Sequence, residues 1–299
     1  MKKVLYFDCF SGISGDMTLA ALIDLGIDKD AFLAEMKKLN VEGFEIKFSR
    51  TEKSGIGAQD VDVILTNGEY LDEEHHHDHE HEHHHEHEHD HEHGHEHHHD
   101  HEHIHDEHSH EHTHDHAHSH EHHHAHVHRN IDDVNTIIDN STISETAKDL
   151  AKRIFMRVAK AEAKVHSKPL NEVHFHEVGA LDSIVDIIGT AILIDMIKPD
   201  VICSSVVNDG HGFVKCQHGH MPVPAPATAE IFADSNVIYR QIDVMSEMVT
   251  PTGAAIIAEL SENFGMCPPM KLKATGYGAG KRNFSIPNIL RVMIGETEG

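Results

Sequence analysis

Apolar positions along the chain repeat with two different periods, and the changes between them divide it into elements. Val4 to Phe7 is a short run of β-formers, followed by the small-residue loop Ser11-Gly12-Ile13-Ser14-Gly15 and the helical stretch from Asp16 to Ile23. A second helix is predicted over Lys29 to Leu39. Phe44, Ile46 and Phe48 alternate with polar residues, as do Val61, Val63 and Leu65, so both stretches predict half-buried strands. Asn67-Gly68 predicts a turn after the second. Beyond Arg129 the helical period returns: Ile131, Val134, Ile137 and Ile138 share a face, and Ile143 to Val165 reads as a long amphipathic helix. Leu181 to Ile197 predicts another helix, Val201 to Val207 a strand, and Gly210 to Lys215 a turn into a further short strand. Pro222, Pro224 and Pro226 block regular pairing until Ala227 to Phe232 can turn helical. Thr250-Pro251-Thr252-Gly253 opens a helix to about Phe264, with proline in the tolerated first turn. Lys271 to Thr275, a glycine loop from Gly276 to Gly280, and Ile289 to Ile294 predict a closing hairpin. This irregular alternation predicts an α/β or α+β fold, a mixed sheet with packed helices, and not a repeat protein.

Composition changes this picture in one place. The 299 residues carry 24 Lys and Arg against 51 Asp and Glu, a net charge of −27 with histidine neutral. Residues 72–128 hold 18 of the carboxylates and 31 of the 37 histidines, with no Lys or Arg and almost no Leu, Ile, Val or Phe. Such a stretch cannot offset its ordering entropy by burial and is expected to be a disordered insert. Residues 1–71 and 129–299, roughly 240 in all, are expected to form one folded α/β body with room for two subdomains. The acidic balance excludes a nucleic-acid partner. No segment approaches the ~20 apolar residues of a membrane span, and Asp8 interrupts the N-terminal run too early for a signal peptide. Cys9, Cys203, Cys216 and Cys267 are spaced neither as a disulfide scaffold nor as a zinc ribbon. A cytoplasmic protein is expected, and a homo-oligomer.

Four groups of residues carry candidate chemistry. Neutral imidazoles offer lone pairs to Ni, Zn, Cu or Co, so the tract, with His75, His76, His77, His79, His81 and His83 at its start, reads as many weak shared metal sites. The same composition also serves a solvated linker that binds metal incidentally. His174-Phe-His176-Glu177 precedes the helix in which Asp182 and Asp186 lie four residues apart, so two imidazoles and up to three carboxylates converge on one helix start. Metal ligation by His174, His176 and Asp186 competes there with Asp182 capping the helix and a histidine bonding a backbone carbonyl. Ser11 and Ser14 sit between Asp8 and Asp16 where a strand meets a helix, either as ligand contacts or as caps of a tight turn. Thr250 and Thr252 offer hydroxyls at a helix start, and Lys281 and Arg282 offer cations beside glycines, a pattern shared by anion sites and surface hairpins. His211, His218 and His220 around Cys216 read as a surface loop.

Four motifs in order, Phe7 to Met17, His174 to Asp186, Met221 to Glu230 and Thr250 to Ala254, resemble the LarC family, the nickel insertion proteins of nickel-pincer cofactor biosynthesis. The resemblance spans the ordered chain and includes a histidine-rich insert. It implies a nickel chelatase, a lyase-type metal-inserting enzyme. Such a chelatase loads Ni(II) into pyridinium-3,5-bisthiocarboxylic acid mononucleotide, the cofactor precursor of lactate racemase, in a CTP-dependent step. Two thiocarboxylate sulfurs and a ring carbon become nickel ligands, so a ring proton has to leave. On that reading His174, His176, Glu177 and Asp182 handle metal or proton, and Ser11, Ser14, Thr250, Thr252, Lys281 and Arg282 hold the substrate. The implied partners are the precursor, a C-terminal half and a lactate racemase-type apoenzyme. Family members commonly continue into a C-terminal nucleotide-binding domain that would take CTP with Mg or Mn, and the chain reads as the part before it. A nickel store or metallochaperone is the competing function.

Overall fold

The computed structural model describes residues 1–66, 129–173, 175, 180–216 and 219–298. The expected turn at Asn67-Gly68, the tract with its six named histidines, and His174, His176, Glu177 and His218 lie outside these residues. The segments on either side of the tract, Met1–Glu69 and Ala125–Gly299, belong to one compact unit.

That unit is built on a mixed sheet of seven strands in the order β2-β3-β10-β11-β1-β4-β9. These are β1 (Lys2–Asp8), β2 (Phe44–Lys53), β3 (Ile56–Leu65), β4 (Val201–Ser204), β9 (Asn263–Phe264), β10 (Lys271–Ala279) and β11 (Ile289–Thr297). Between β4 and β9 in chain order come β5 (Val207–Asp209), β6 (Phe213–Cys216), β7 (Gly219–Pro222) and β8 (Tyr239–Gln241), which form two small sheets as the pairs β5-β8 and β6-β7. β1 lies inside the sheet next to the central β11, antiparallel to it and parallel to β4, so N- and C-terminal segments share one hydrogen-bonded ladder.

Seven α-helices are described: α1 (Gly15–Asp24), α2 (Lys29–Lys37), α3 (Ile131–Asn140), α4 (Glu145–Val165), α5 (Leu181–Ile197), α6 (Pro226–Ala233) and α7 (Pro251–Leu260). α1 and α5 are apolar on nearly every face, and such helices are stable only when covered all round. They accordingly occupy the middle of the core, where Leu19, Leu22, Phe32, Ile188 and Ile192 pack together with Phe7 of β1. Gly189 lets α5 approach α1: a Cβ there would stand 2.9 Å from Leu19 Cδ2. The amphipathic α3 and α4 bury one stripe each and keep their charges outward, apart from the buried Glu162 of α4. Among the described residues no helix is long and apolar enough to cross a membrane.

Three expected elements differ. Val201 to Val207 is not one strand: it breaks after Ser204, and β5 leaves the main sheet to pair with β8. α7 stops at Leu260, and Asn263–Phe264 becomes β9 beside β4. The Gly276 to Gly280 stretch is largely strand, not loop, since β10 continues through Ala279. Here α1 lies directly on the sheet, and a Cβ at Gly276 or Gly278 would stand 2.1 or 2.0 Å from a backbone oxygen of that helix. These glycines permit close packing where the sequence suggested flexibility.

Candidate functional site

β1 ends at Asp8, whose carboxylate is held by Arg291 from the neighbouring strand β11. The chain then forms the loop from Cys9 to Ser14. Gly12 takes φ +81°, and a Cβ there would lie 2.0 Å from the Met248 oxygen, so only glycine fits. The next residue is stitched to the segment before α7: Ile13 N–H donates to Met248 O at 3.0 Å, and Thr250 N–H donates to Ile13 O at 3.2 Å. Gly253, in the first turn of α7, packs its bare Cα against Ile13 and Ser14. The N-termini of α1 and α7 therefore meet at this loop, and the positive ends of the two helix dipoles point to it, although at α7 proline offers no N–H and Thr250 takes that of Gly253.

Carboxylates stand against that field. Asp16, in the first turn of α1, accepts a hydrogen bond from the Ser14 hydroxyl. Asp186 comes from α5 and lies against Gly15, where an added Cβ would meet its Oδ2 at 2.3 Å. Its Oδ1 has no solvent contact and no hydrogen-bond partner. Burial first, then the charges of Asp16 and Asp182, push the Asp186 carboxyl well above the ordinary carboxylate range. Burial also raises Asp16, against the lowering effects of the Ser14 hydrogen bond and the Lys281 charge. Two crowded carboxyls at one spot disfavour double ionisation, so at least one retains a proton more readily than an exposed aspartate.

The sequence-chosen residues distribute unevenly around this point. Ser11 is fully buried in the loop, and its hydroxyl has no hydrogen-bond partner. Ser14 spends its hydroxyl on Asp16 and makes no side-chain cap, although it occupies the N-cap position. Thr250 caps α7 by accepting from Gly253 N–H at 3.2 Å, and Thr252 is buried in the first turn. Asp182 is the second residue of α5; the N-cap there is Ala180, so the capping alternative for Asp182 is not what the structure shows. Lys281 pairs with Asp60 and Asp62, and Arg282 donates to the Glu247 carbonyl at 3.1 Å, so each cation already has a partner. Lys281 faces the carboxylates nonetheless: burial opposes its charge, but Asp60, Asp62 and Asp16 raise its pKa overall. His211 stands 3.2 Å from Asp243 and His220 is exposed on β7. Among the described residues no group of three or more His, Cys, Asp or Glu is assembled to hold a metal ion.

One contributor has no sequence signal. Asp209 at the end of β5 is fully buried and accepts from the N–H groups of Gly210, Met248 and Val249 through a single oxygen. It pins the segment on which the Gly12 loop rests. Asn208-Asp209-Gly210 reads simply as a turn, because the two remote donors, Met248 and Val249, cannot be inferred from neighbours in sequence. Cys9, beside the loop, is inert by contrast: burial raises its thiol to about 12.

Comparison with known proteins bears on this geometry. The family described as "Nickel insertion protein" matches residues 5–299. A pyridinium-3,5-bisthiocarboxylic acid mononucleotide nickel insertion protein of Acetivibrio thermocellus is 42% identical over 296 residues, 99% of this chain and 61% of that protein. Proteins of the same name are 50% identical in Clostridium acetobutylicum and 43% identical in Clostridium kluyveri, each over 99% of this chain and 64% and 63% of theirs. The chain thus spans about three fifths of the length of these relatives. No solved structure matches it. The extent of the family match, which takes in the Gly12 loop and every described carboxylate around it, shows that the chain belongs to the nickel insertion protein family.

Proposed function

We propose that this chain supplies the part of a nickel chelatase that holds pyridinium-3,5-bisthiocarboxylic acid mononucleotide while Ni(II) is inserted. The observation that carries the reading is the meeting of two helix N-termini with Asp16 and Asp186, one of whose oxygens is buried without a partner. Nickel is the cargo and the mononucleotide the substrate. As the nickel–carbon bond forms, the ring C–H bond breaks: its electron pair becomes the new bond, nickel stays divalent, and the proton has to be accepted nearby. Ionised Asp186 is the acceptor on this reading, because a carboxylate of raised proton affinity is a stronger base than an exposed aspartate, and Asp16 is the member of the pair that then keeps the shared proton. Asp16 and Asp182 set that affinity, and Lys281 balances the charge left behind.

Ser11 and the N–H groups opening α1 and α7 fit the substrate's anionic groups, with Thr252 beside them. His174, His176 and Glu177 precede Asp182 by five to eight residues in sequence and are proposed to receive the ion. The tract is proposed to gather it, since 31 imidazoles among 18 carboxylates concentrate a borderline-soft cation. The CTP-dependent step, its Mg or Mn ion and transfer to a lactate racemase-type enzyme are proposed for the whole protein.

The test joins this chain to the remaining two fifths of its relatives and supplies Ni(II), CTP and the precursor, with metallated product read by mass spectrometry. Asp186→Asn is expected to lose most of the product, and deletion of residues 72–128 to retain it at saturating nickel while bound nickel per chain falls severalfold. A pure nickel store is the alternative that the tract favours. Full activity of Asp186→Asn refutes the assignment of the proton acceptor, and no product from the wild-type assembly refutes the chelatase.

A further inference from the structure

The face of the sheet turned away from α1 and α5 collects sulfur. Along β1, Leu5 and Phe7 join the helix-covered core, whereas Val4 and Tyr6 belong to a separate cluster with Cys203. Strand register places Met293 of β11 on one side of Tyr6 and Cys203 of β4 on the other. The segment after β9 folds back over this row, where the Tyr6 hydroxyl donates to Gly265 O at 2.8 Å. Cys267 and Met270 from that segment pack against the same cluster. Two thiols and two thioethers from three places in the chain, β4, β11 and the segment after β9, therefore pack into one cluster around Tyr6.

The arrangement has an inside and a mouth. Cys203 is 7% exposed, while Cys267 is only partly buried and Met266 beside it is 96% exposed. All four cysteines of the chain are free thiols. Burial raises the Cys203 thiol, and the charge of Cys267 raises it further, so the two sulfurs lie within each other's field. No histidine belongs to this cluster among the described residues, and its nearby oxygens are engaged: the Tyr6 hydroxyl donates to Gly265 O, the Pro268 carbonyl accepts from Cys267 Sγ at 3.5 Å, and Asp8 is held by Arg291. Thiolate and thioether donors on a low-dielectric sheet face select soft, closed-shell ions.

We propose that Cys203 and Cys267, supported by the thioethers of Met270 and Met293, form a site for one soft monovalent metal ion, with Cu(I) as its probe. Each thiol that coordinates releases its proton to solvent, so occupancy strengthens as pH rises. The site is separate from Asp186 of α5 and the Gly12 loop, which belong with the helix-covered core, and its existence does not depend on the chelatase reading.

The test titrates the reduced full chain anaerobically with Cu(I) against a chromophoric Cu(I) chelator. The histidine tract is present in every sample, so the quantity read is the difference between wild type and variant. Cys203→Ala and Cys267→Ala are each expected to remove one tightly held equivalent, and Met293→Leu to weaken that equivalent by roughly tenfold. X-ray absorption of the wild-type complex at one equivalent is expected to show sulfur neighbours. Should Cys203→Ala fail to fold, the partly exposed Cys267→Ala decides alone. An unchanged titration for Cys267→Ala, or a first equivalent with nitrogen neighbours only, overturns the site.

Discussion

Replacing Gly278 by alanine puts the packing of α1 on the sheet to a direct test. The new Cβ would lie 2.0 Å from the Met17 carbonyl oxygen and 2.6 Å from the Ala21 nitrogen, both backbone atoms of the helix. Ordinary contacts sit near ~3.5 Å, so α1 has to withdraw from β10 by more than about 1 Å. It has little room to do so, because eight of its ten residues are buried. Added volume in a well-packed core typically costs about 1–3 kcal/mol, and a clash with backbone on a covered helix belongs at the upper end, ~3 kcal/mol. With a urea slope of about 1–3 kcal/mol per molar, the unfolding midpoint falls by about 1 M or more. Gly57→Ala is the control: in β3 its nearest neighbour atom would be Arg50 Nη2 at 3.8 Å, and the stability is expected to stay within about 0.5 kcal/mol of wild type. The same withdrawal displaces Asp16, and a misplacement of ~1 Å is worth roughly 100-fold in rate, so on the proposed function nickel insertion by the joined assembly falls with stability. A Gly278→Ala midpoint indistinguishable from that of Gly57→Ala would refute the packing argument and return the segment to a flexible loop.

Two further outcomes follow from the buried carboxyls. Asp186 has a folded-state pKa above its unfolded value near 3.9, so the folded chain binds more protons and stability falls as pH rises from about 4 through the raised pKa. Asp186→Asn removes that contribution. Its melting temperature at neutral pH is expected to exceed that of wild type, with a flatter pH profile, while the insertion proposed for the joined assembly is lost; thermal melts from pH 4 to 8 check this, and a lower melting temperature at pH 7 counts against it. Asp209→Ala deprives three buried N–H groups of their acceptor, at about 1–3 kcal/mol for each left unsatisfied, and is expected to destabilise by roughly 3 kcal/mol. Hydrogen exchange should quicken at Met248 and Val249, and Asp209→Asn, which keeps the acceptor, should restore most of the protection; unchanged exchange in Asp209→Ala removes Asp209 as the support of the loop.

What local pattern can determine was legible from the residues alone. The apolar spacing of Leu181 to Ile197 and of Phe44 to Phe48 gave a helix and a strand close to those observed, because burial on one face or on all faces imprints its own period. The Ser11 to Gly15 loop between strand and helix was readable for the same reason, as was the placing of Asp182 and Asp186 four residues apart on one helix. Tertiary structure decided which of these groups meet. Gly276 and Gly278 carry the same letters whether they line a mobile loop or admit a helix, and only the path of α1 above β10 distinguishes the two. Lys281 and Arg282 looked like spare cations until β3 and the segment before α7 brought Asp60, Asp62 and Glu247 to them. Asp186 is perturbed because Gly15, distant in sequence, leaves room for its carboxyl, and Asp209 matters because Met248 and Val249 reach it from forty residues away. Periodicity records how much of a segment is buried; the partner in that burial is set by long-range packing, which no single stretch of sequence contains.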